Sequence, residues 1–307
     1  MKSYCIKSFA IYTAILLCSV LKLHSQHHDT LKINNFEIPE IKHGEEVIHH
    51  SGYSFVYSEK HEQSKWVAYE LTSNETEKAV ERSNDFITDP KVKTGSADNP
   101  DYAGSGYDRG HLAPAADMGW SEQTMKESFY FSNMSPQVPS FNRGIWKKLE
   151  TQVRTWAIEN EAIYVVTGPI LKDGLKTIGP NKVSVPEYYF KVILDLTGSE
   201  KKAIGFVLPN STSTLPLSEF AISVDSVETL TAINFFPKLE NTEEEKLESS
   251  ICIECWSWKK TKIKDSQVQN KEVVTKESAQ CKGITSSGVR CKKKTKSKSG
   301  YCNLHKK

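Results

Sequence analysis

The chain lacks any segment beyond residue 25 that is apolar enough to cross a bilayer, and its one long apolar block, Phe9 to Leu21, holds 13 residues where a helical span needs roughly 20. That block follows Lys2 and Lys7 and gives way to the polar run His24-Ser25-Gln26-His27-His28-Asp29, the plan of an export signal. Residues 1–25 are therefore expected to be removed on export to the periplasm or the extracellular space, leaving no membrane span; a retained N-terminal anchor is the alternative. Cysteine is missing between Cys18 and Cys252. The body must then rest on a buried core, which 38% hydrophobic residues in a chain of 307 permit.

Net charge is also nearly absent, at +2, but only by cancellation. Residues 26–258 carry 22 Lys and Arg against 35 Asp and Glu, a balance of −13, whereas residues 259–307 carry 15 against 3, a balance of +12. An acidic body with a basic tail points to nucleic acid or another anionic surface as the partner of the tail; a merely solubilising tail is the alternative. The expected organisation is a signal at 1–25, a polar leader at 26–50, one body at 51–258, a linker at 259–280 and a small basic module at 281–307.

Within the body, alternation in Tyr53 to Tyr57 and Trp66 to Leu71 predicts two strands joined by a polar turn. Ser73 to Pro100 reads as loop, with Arg82, Phe86 and Asp89 its most noticeable members, and the pairs His27/His28 and His49/His50 read as solvated. Ser121 caps a helix predicted to run to about Asn133, where Met134 to Pro139 breaks it. A second helix, Asn142 to Glu161, is predicted to bury Ile145, Trp146, Leu149, Val153, Trp156 and Ala157 on one face. The β-branched and aromatic runs Ile163 to Thr167, Tyr188 to Leu196 and Ala203 to Leu208 predict strands of one sheet. Two short helices between Ser218 and Asn234 and the apolar Ile251 to Trp258 complete an α+β body.

One stretch, Tyr107 to Glu150, concentrates groups suited to phosphodiester cleavage. An imidazole takes a proton at neutral pH better than any other side chain, which makes His111 the candidate base. A hard divalent ion prefers oxygen ligands, and Asn142 offers a carbonyl oxygen while Glu150 can hold waters of the ion's shell. On a regular α-helix those two residues would differ by about 80° and about 12 Å, leaving them on one side. Arg109 and Arg82 could place planar donor forks on phosphate oxygens.

The run Ser105-Gly106-Tyr107-Asp108-Arg109-Gly110-His111-Leu112-Ala113-Pro114-Ala115-Ala116-Asp117-Met118, with Asn142 following 31 residues after the histidine and Glu150 eight later, resembles the DNA/RNA non-specific endonuclease family. Tyr130 to Gln137, Thr167 to Ile170 and Val224 to Glu228 extend the resemblance over roughly residues 50–258. It implies a ββα-metal nuclease fold with a central, mainly antiparallel sheet flanked by helices, and cleavage of DNA and RNA. By the same resemblance His111 is the general base, Asn142 the direct protein ligand to Mg²⁺ (Mn²⁺ or Ca²⁺ in its place), and Glu150 the carboxylate that holds the ion through water. Asp108 supports the geometry, Arg109 belongs to the Asp-Arg-Gly-His motif, and Arg82 is the upstream arginine on the scissile phosphate. Monomer and homodimer both stay open. The competing reading is a nucleic-acid-binding or surface-anchored protein whose basic tail is the main functional element, with weak or absent catalysis.

With the signal gone, five cysteines remain. Cys281, Cys291, Cys302 and His305, spaced C-x9-C-x10-C-x2-H, form a Cys3His set suited to a closed structural Zn²⁺ site and resemble small knuckles appended to other bacterial domains. So short and basic a segment builds no core, so metal would supply its folding energy. Disulfides are the alternative in an exported chain, although pairing all five strands one. Cys252 and Cys255 then form a local disulfide or stay reduced, and no thioredoxin-like pattern precedes them.

Overall fold

The alternation in Gln63–Thr72 decides how the body is layered. This strand, β3, sends Val67, Tyr69 and Leu71 into one hydrophobic cluster and Trp66 and Ala68 into another, because successive side chains of a strand point to opposite faces. The structure, a computed structural model, describes residues 35–258, 279–284, 288–295, 299–302 and 305, so the expected signal and all of the expected linker but Ala279–Gln280, which pairs as a short strand with Lys294–Thr295, lie outside the described residues. Two compact units make up the chain, Met1–Lys260 and Thr261–Lys307.

In the first unit β3 is preceded by β1 (Val47–His49) and β2 (Ser54–Ser58). A hairpin outside the main sheet pairs β4 (Asp108–His111) with β5 (Met134–Gln137). There follow β6 (Ala162–Pro169), a small hairpin of β7 (Thr177–Ile178) and β8 (Val183–Ser184), β9 (Tyr188–Asp195), β10 (Lys202–Pro209) and β11 (Ala221–Ile222). The main sheet has seven strands in the order β1-β2-β3-β6-β9-β10-β11, every neighbouring pair antiparallel. The period of two holds across it. Ile163, Val165, Tyr189, Ile193, Ile204 and Phe206 join one cluster, and Val166, Phe190, Val192, Leu194 and Ala203 the other.

Besides a single helical turn at Pro139–Phe141, five helices accompany the sheet among the described residues: α1 (Asn99–Tyr102), α2 (Glu122–Ser128), α3 (Lys147–Glu159), α4 (Val224–Thr231) and α5 (Asn241–Glu248). The long α3 lays Leu149, Val153, Trp156 and Ala157 on the first face of the sheet. Full burial of residues such as Leu149 and Val153 stabilises by on the order of 2 kcal/mol each. Ile251 to Trp258 returns over the same helix, with the Trp156 and Trp256 rings 4.6 Å apart and Trp156 Nε1 donating to the Ser257 carbonyl at 2.7 Å. The Cys252–Cys255 disulfide lies in this returning segment. On the opposite face Val224, Val227 and Leu247, from α4 and α5, pack with Phe235 and Phe236.

Four sequence expectations change. The described part of the leader is built into the body: Phe36 and Ile38 are buried in the second cluster and Val47–His49 is an edge strand, because the polar residues between them conceal a sparse apolar pattern. Met134 to Gln137 is a strand, not a break; Pro136 fits because the two-stranded hairpin asks little of its missing donor. The helix capped by Ser121 ends at Ser128 and is followed by a 3-10 turn at Phe131–Asn133. Between Ser218 and Asn234 only α4 is an α-helix, with a 3-10 turn at Leu217–Phe220 ahead of it.

His50 is also far from solvated. Its side chain is 1% exposed and its Nε2 lies 2.8 Å from Asp89 Oδ2, which also accepts from Ser132 Oγ at 2.5 Å. This node holds the 73–100 loop down, helped by the parallel bridge of Ile87 to Tyr130. Burial alone would raise the Asp89 carboxyl, but hydrogen bonds from His50, Ser132 and the Lys91 N–H outweigh it and hold it below the usual carboxylate value. A carboxyl depressed on folding contributes stability above its unfolded pKa and loses it as pH falls through the folded one. Asp89→Ala should therefore cost about 2 kcal/mol in denaturant unfolding at pH 7. The gap to the unchanged protein should narrow below about pH 4; a gap constant down to pH 3 would show that the charge of Asp89 contributes nothing.

Candidate active site

Strand β4 carries Asp108, Arg109, Gly110 and His111 opposite Gln137, Pro136, Ser135 and Met134. Gly110 is required by its neighbour, since a Cβ there would meet the Gln137 side chain at 2.2 Å. That close approach seats the hairpin and sets His111 against Phe129, edge-on at 4.8 Å between ring centroids, with Phe86 at 5.9 Å. His111 is 8% exposed. Burial and the nearby Arg82 charge lower its pKa to about 3, opposed by a hydrogen bond to the Arg109 backbone. The ring is neutral at ordinary pH, and its buried Nε2 has no hydrogen-bond partner among the described residues. A neutral imidazole tied through one nitrogen leaves the other as a lone-pair acceptor.

Asp108 joins the hairpin to the helix that follows. Its Oδ2 accepts from Asn142 Nδ2 at 2.9 Å and from Arg143 Nε at 2.8 Å, and its Oδ1 accepts from Arg143 at 2.6 Å. With the amide nitrogen engaged, the Asn142 carbonyl oxygen is the atom left for another partner. The helix is not regular here: Asn142–Trp146 forms a wide π-turn, with Gly144 at φ −105° and ψ −109°, before α3 proper begins at Lys147. The 80° expected between Asn142 and Glu150 assumed a continuous α-helix and does not hold. Single π-turns within helices frequently accompany functional sites.

Glu150 lies in the first turn of α3, above the central strands. Burial raises its carboxyl to about 7, although Lys191, Arg154 and Arg82 pull it down while Asp117 pushes it up. Lys191 is fully buried on β9, its Nζ without a hydrogen-bond partner among the described residues and 5.0 Å from the Trp146 ring centroid. Burial lowers its pKa to about 8 against the pull of Glu150 and Asp117. Asp117 is in turn held by Arg154 at 2.6 Å and by the Tyr69 hydroxyl at 2.8 Å. Sequence reasoning missed Lys191, Asp117 and Arg154 as parts of the site. Two of them left a signal: Lys191 interrupts an apolar strand at a position whose parity faces α3, and Arg154 lies one helical turn beyond Glu150.

The structure thus brings Arg82 within electrostatic reach of both His111 and Glu150, and gathers Asp108, Asn142 and Arg143 by direct hydrogen bonds. The Arg82 guanidinium sits 4.9 Å from the Phe129 ring centroid and that of Arg109 4.6 Å from Phe86, so each arginine covers one of the phenylalanines that touch the imidazole. Arg109 also lines an open cavity of about 530 Å³ with Phe86, Asn99 and Lys126. In the second unit, ligand atoms of Cys281, Cys291, Cys302 and His305 all lie within 4.8 Å of one another. The Cys291 and Cys302 sulfurs are 3.9 Å apart, and His305 Nδ1 is 3.4 Å from Cys302 Sγ and 3.6 Å from Cys281 Sγ. A disulfide needs about 2.05 Å, and these three cysteines form none.

The profile of the DNA/RNA non-specific endonuclease family matches residues 33–242. Mitochondrial endonuclease G of Bos taurus is 35% identical over 204 residues, covering 62% of this chain and 68% of its own length. Nuclease C1 of Cunninghamella echinulata var. echinulata is 35% identical over 212 residues, 64% of this chain and 84% of that one. Mitochondrial nuclease EXOG of Danio rerio is 36% identical over 228 residues, 69% and 66% of the two chains. A chain in the crystal structure of the EndoG/EndoGI complex superposes with a TM-score of 0.62 at 34% identity, covering 67% of this chain and 90% of that one. A seven-stranded antiparallel sheet, a β4–β5 hairpin running into α3, and a histidine, an asparagine and a glutamate placed along them make the body a ββα-metal nuclease, and the chain belongs to the DNA/RNA non-specific endonuclease family.

Proposed function

We propose that the protein is an exported, Mg²⁺-dependent, sugar-non-specific endonuclease in which His111 is the general base. The observation that carries this reading is the neutral, buried His111 ring with a free Nε2, next to two arginines. The donor set suits a hard ion: an amide oxygen of Asn142, left over by its bond to Asp108, and the carboxylate of Glu150. Mg²⁺ fits it, with Mn²⁺ or Ca²⁺ as substitutes; when bound, the ion supplies positive charge to the phosphate and the departing oxygen.

The chain's own residues do the rest. Arg82 and Arg109 hold the phosphodiester through its non-bridging oxygens. A water attacks phosphorus as His111 Nε2 takes its proton; a phosphorus–oxygen bond forms to the water and the bond to the leaving sugar oxygen breaks. The Arg109 backbone, by fixing the other ring nitrogen, keeps Nε2 aimed at the water. Lys191, Arg154 and Asp117 tune the charge of Glu150. Purified protein should nick plasmid DNA and degrade RNA only with a divalent ion, and His111→Ala should slow both by roughly 10²–10⁴-fold. Cleavage undiminished in that variant would remove His111 from the mechanism.

The tail is read as a structural zinc module. Tetrahedral Zn²⁺ places sulfur ligands about 3.8 Å apart, close to the separations found, and Gly283 and Cys302 N–H groups donate to Cys281 Sγ at 3.3 and 3.1 Å. Its basic surroundings give the acidic body an affinity for nucleic acid that its own charge opposes. Metal analysis should find one zinc per chain, lost in Cys291→Ser. Removing residues 259–307 should weaken DNA binding and flatten its dependence on salt, and an unchanged slope would mean the tail serves another purpose.

Export rests on Lys2, Lys7 and the apolar block Phe9 to Leu21, while the endonuclease G and EXOG relatives are mitochondrial. Among the described residues no helix is long and apolar enough to cross a membrane. Sequencing the N-terminus of the protein recovered from its own cells should find it beginning near Gln26; an intact Met1 in the cell interior would end this part of the reading.

A further inference from the structure

A second group of carboxylates lies on the face of the sheet opposite α3, away from His111. Ser223 caps α4, so Asp225 and Glu228, three residues apart, share one side of that helix. Glu248 ends α5, and Leu247 packs into the same cluster as Val224 and Val227, which draws the end of α5 against α4. One carboxylate oxygen from each of Asp225, Glu228 and Glu248 lies within 4.8 Å of the other two.

Solvated helix faces do not look like this. Glu248 is 2% exposed and belongs to this group, and its Oε1 is buried with no hydrogen-bond partner among the described residues. Glu228 is fixed in place, because its Oε1 accepts the Phe235 N–H at 2.7 Å. No ion pair among the described residues reaches any of the three carboxylates, so nothing of opposite charge balances them. Burial, with Glu228, Glu244 and Asp225 nearby, pushes the Glu248 carboxyl up to about 9.

We propose that Asp225, Glu228 and Glu248 bind a divalent, oxygen-seeking cation, Ca²⁺ above all, which braces α4 against α5 and is separate from the active-site ion. The ligand set is all oxygen, which disfavours Zn²⁺ and the softer metals. Ca²⁺ takes carboxylate oxygens in a flexible shell that need not be completed by the protein, whereas Mg²⁺ demands near-ideal octahedral geometry and is seldom held by an all-protein cage. Asp225 is exposed, which leaves the outer side of the ion to water. The inference does not rest on the nuclease mechanism, and its test keeps the two apart.

The full chain carrying Asn142→Ala, with the active-site ligand removed, is depleted of divalent ions and titrated with CaCl2 by calorimetry and thermal unfolding. One Ca²⁺ should bind, and the midpoint of the body should rise by on the order of 5 °C at a hundredfold excess over Kd. Adding Asp225→Asn should abolish both effects. Asp225→Asn alone, in the otherwise unchanged chain, should cleave plasmid DNA normally with Mg²⁺, which separates loss of the cation from loss of the fold. Glu248→Gln should leave the ion-free protein at least as stable and make it blind to Ca²⁺. Absence of Ca²⁺ binding in the Asn142→Ala chain, or equal binding after Asp225→Asn, would overturn the proposal and leave Glu248 as a protonated carboxyl.

Discussion

The hydrogen bonds from Asn142 and Arg143 to Asp108 are the constraint on which the site depends. They fasten the end of a strand to the start of a helix, so that β4, β5 and α3 behave as one piece rather than as a hairpin and a helix joined by a loop. Neither alone would hold His111 and Glu150 at a fixed separation. The bond to Asn142 also decides which end of its amide is left over, so one contact sets both the placement of that side chain and the atom it presents. Arg143 is mostly exposed, and its pair with Asp108 adds little stability; its contribution is to direction, since it shares the carboxylate that orients Asn142.

Behind that piece the sheet supplies charge. Lys191, Asp117 and Arg154 reach Glu150 from β9, from the segment after β4 and from α3 itself, and Tyr69 on β3 steadies Asp117. Isolated ions do not survive burial, but a mutually compensated group does, provided each member keeps its partner. The candidate site therefore rests on an electrostatic floor woven from four separate elements, and substitutions there alter the charge around Glu150.

Much of this was legible in the sequence, for a physical reason in each case. The strands β3, β6, β9 and β10 are covered on both faces or nearly so, and their β-branched and aromatic runs announce them; α3 announces itself by the spacing of Leu149, Val153 and Trp156. The motif residues stand close in sequence because a hairpin and the following helix are local structures. What stayed hidden is non-local or irregular. Pro136 disguised β5 as a break, and His50 looked solvated because its partner Asp89 is 39 residues away. Lys191 enters the site only through the parity of a strand, and the π-turn at Asn142–Trp146 leaves no periodic trace in five residues.

That wide turn has a consequence for how such a chain can vary. Asn142 and Glu150 are kept in register by a count of residues through an irregular turn, not by whole turns of a helix. Deleting one residue between them would leave both side chains present and a better helix behind them, yet would swing Asn142 by about 100° away from Asp108. The site is guarded against changes of length as strictly as against changes of residue, and a variant that preserved every reactive group could still be inert.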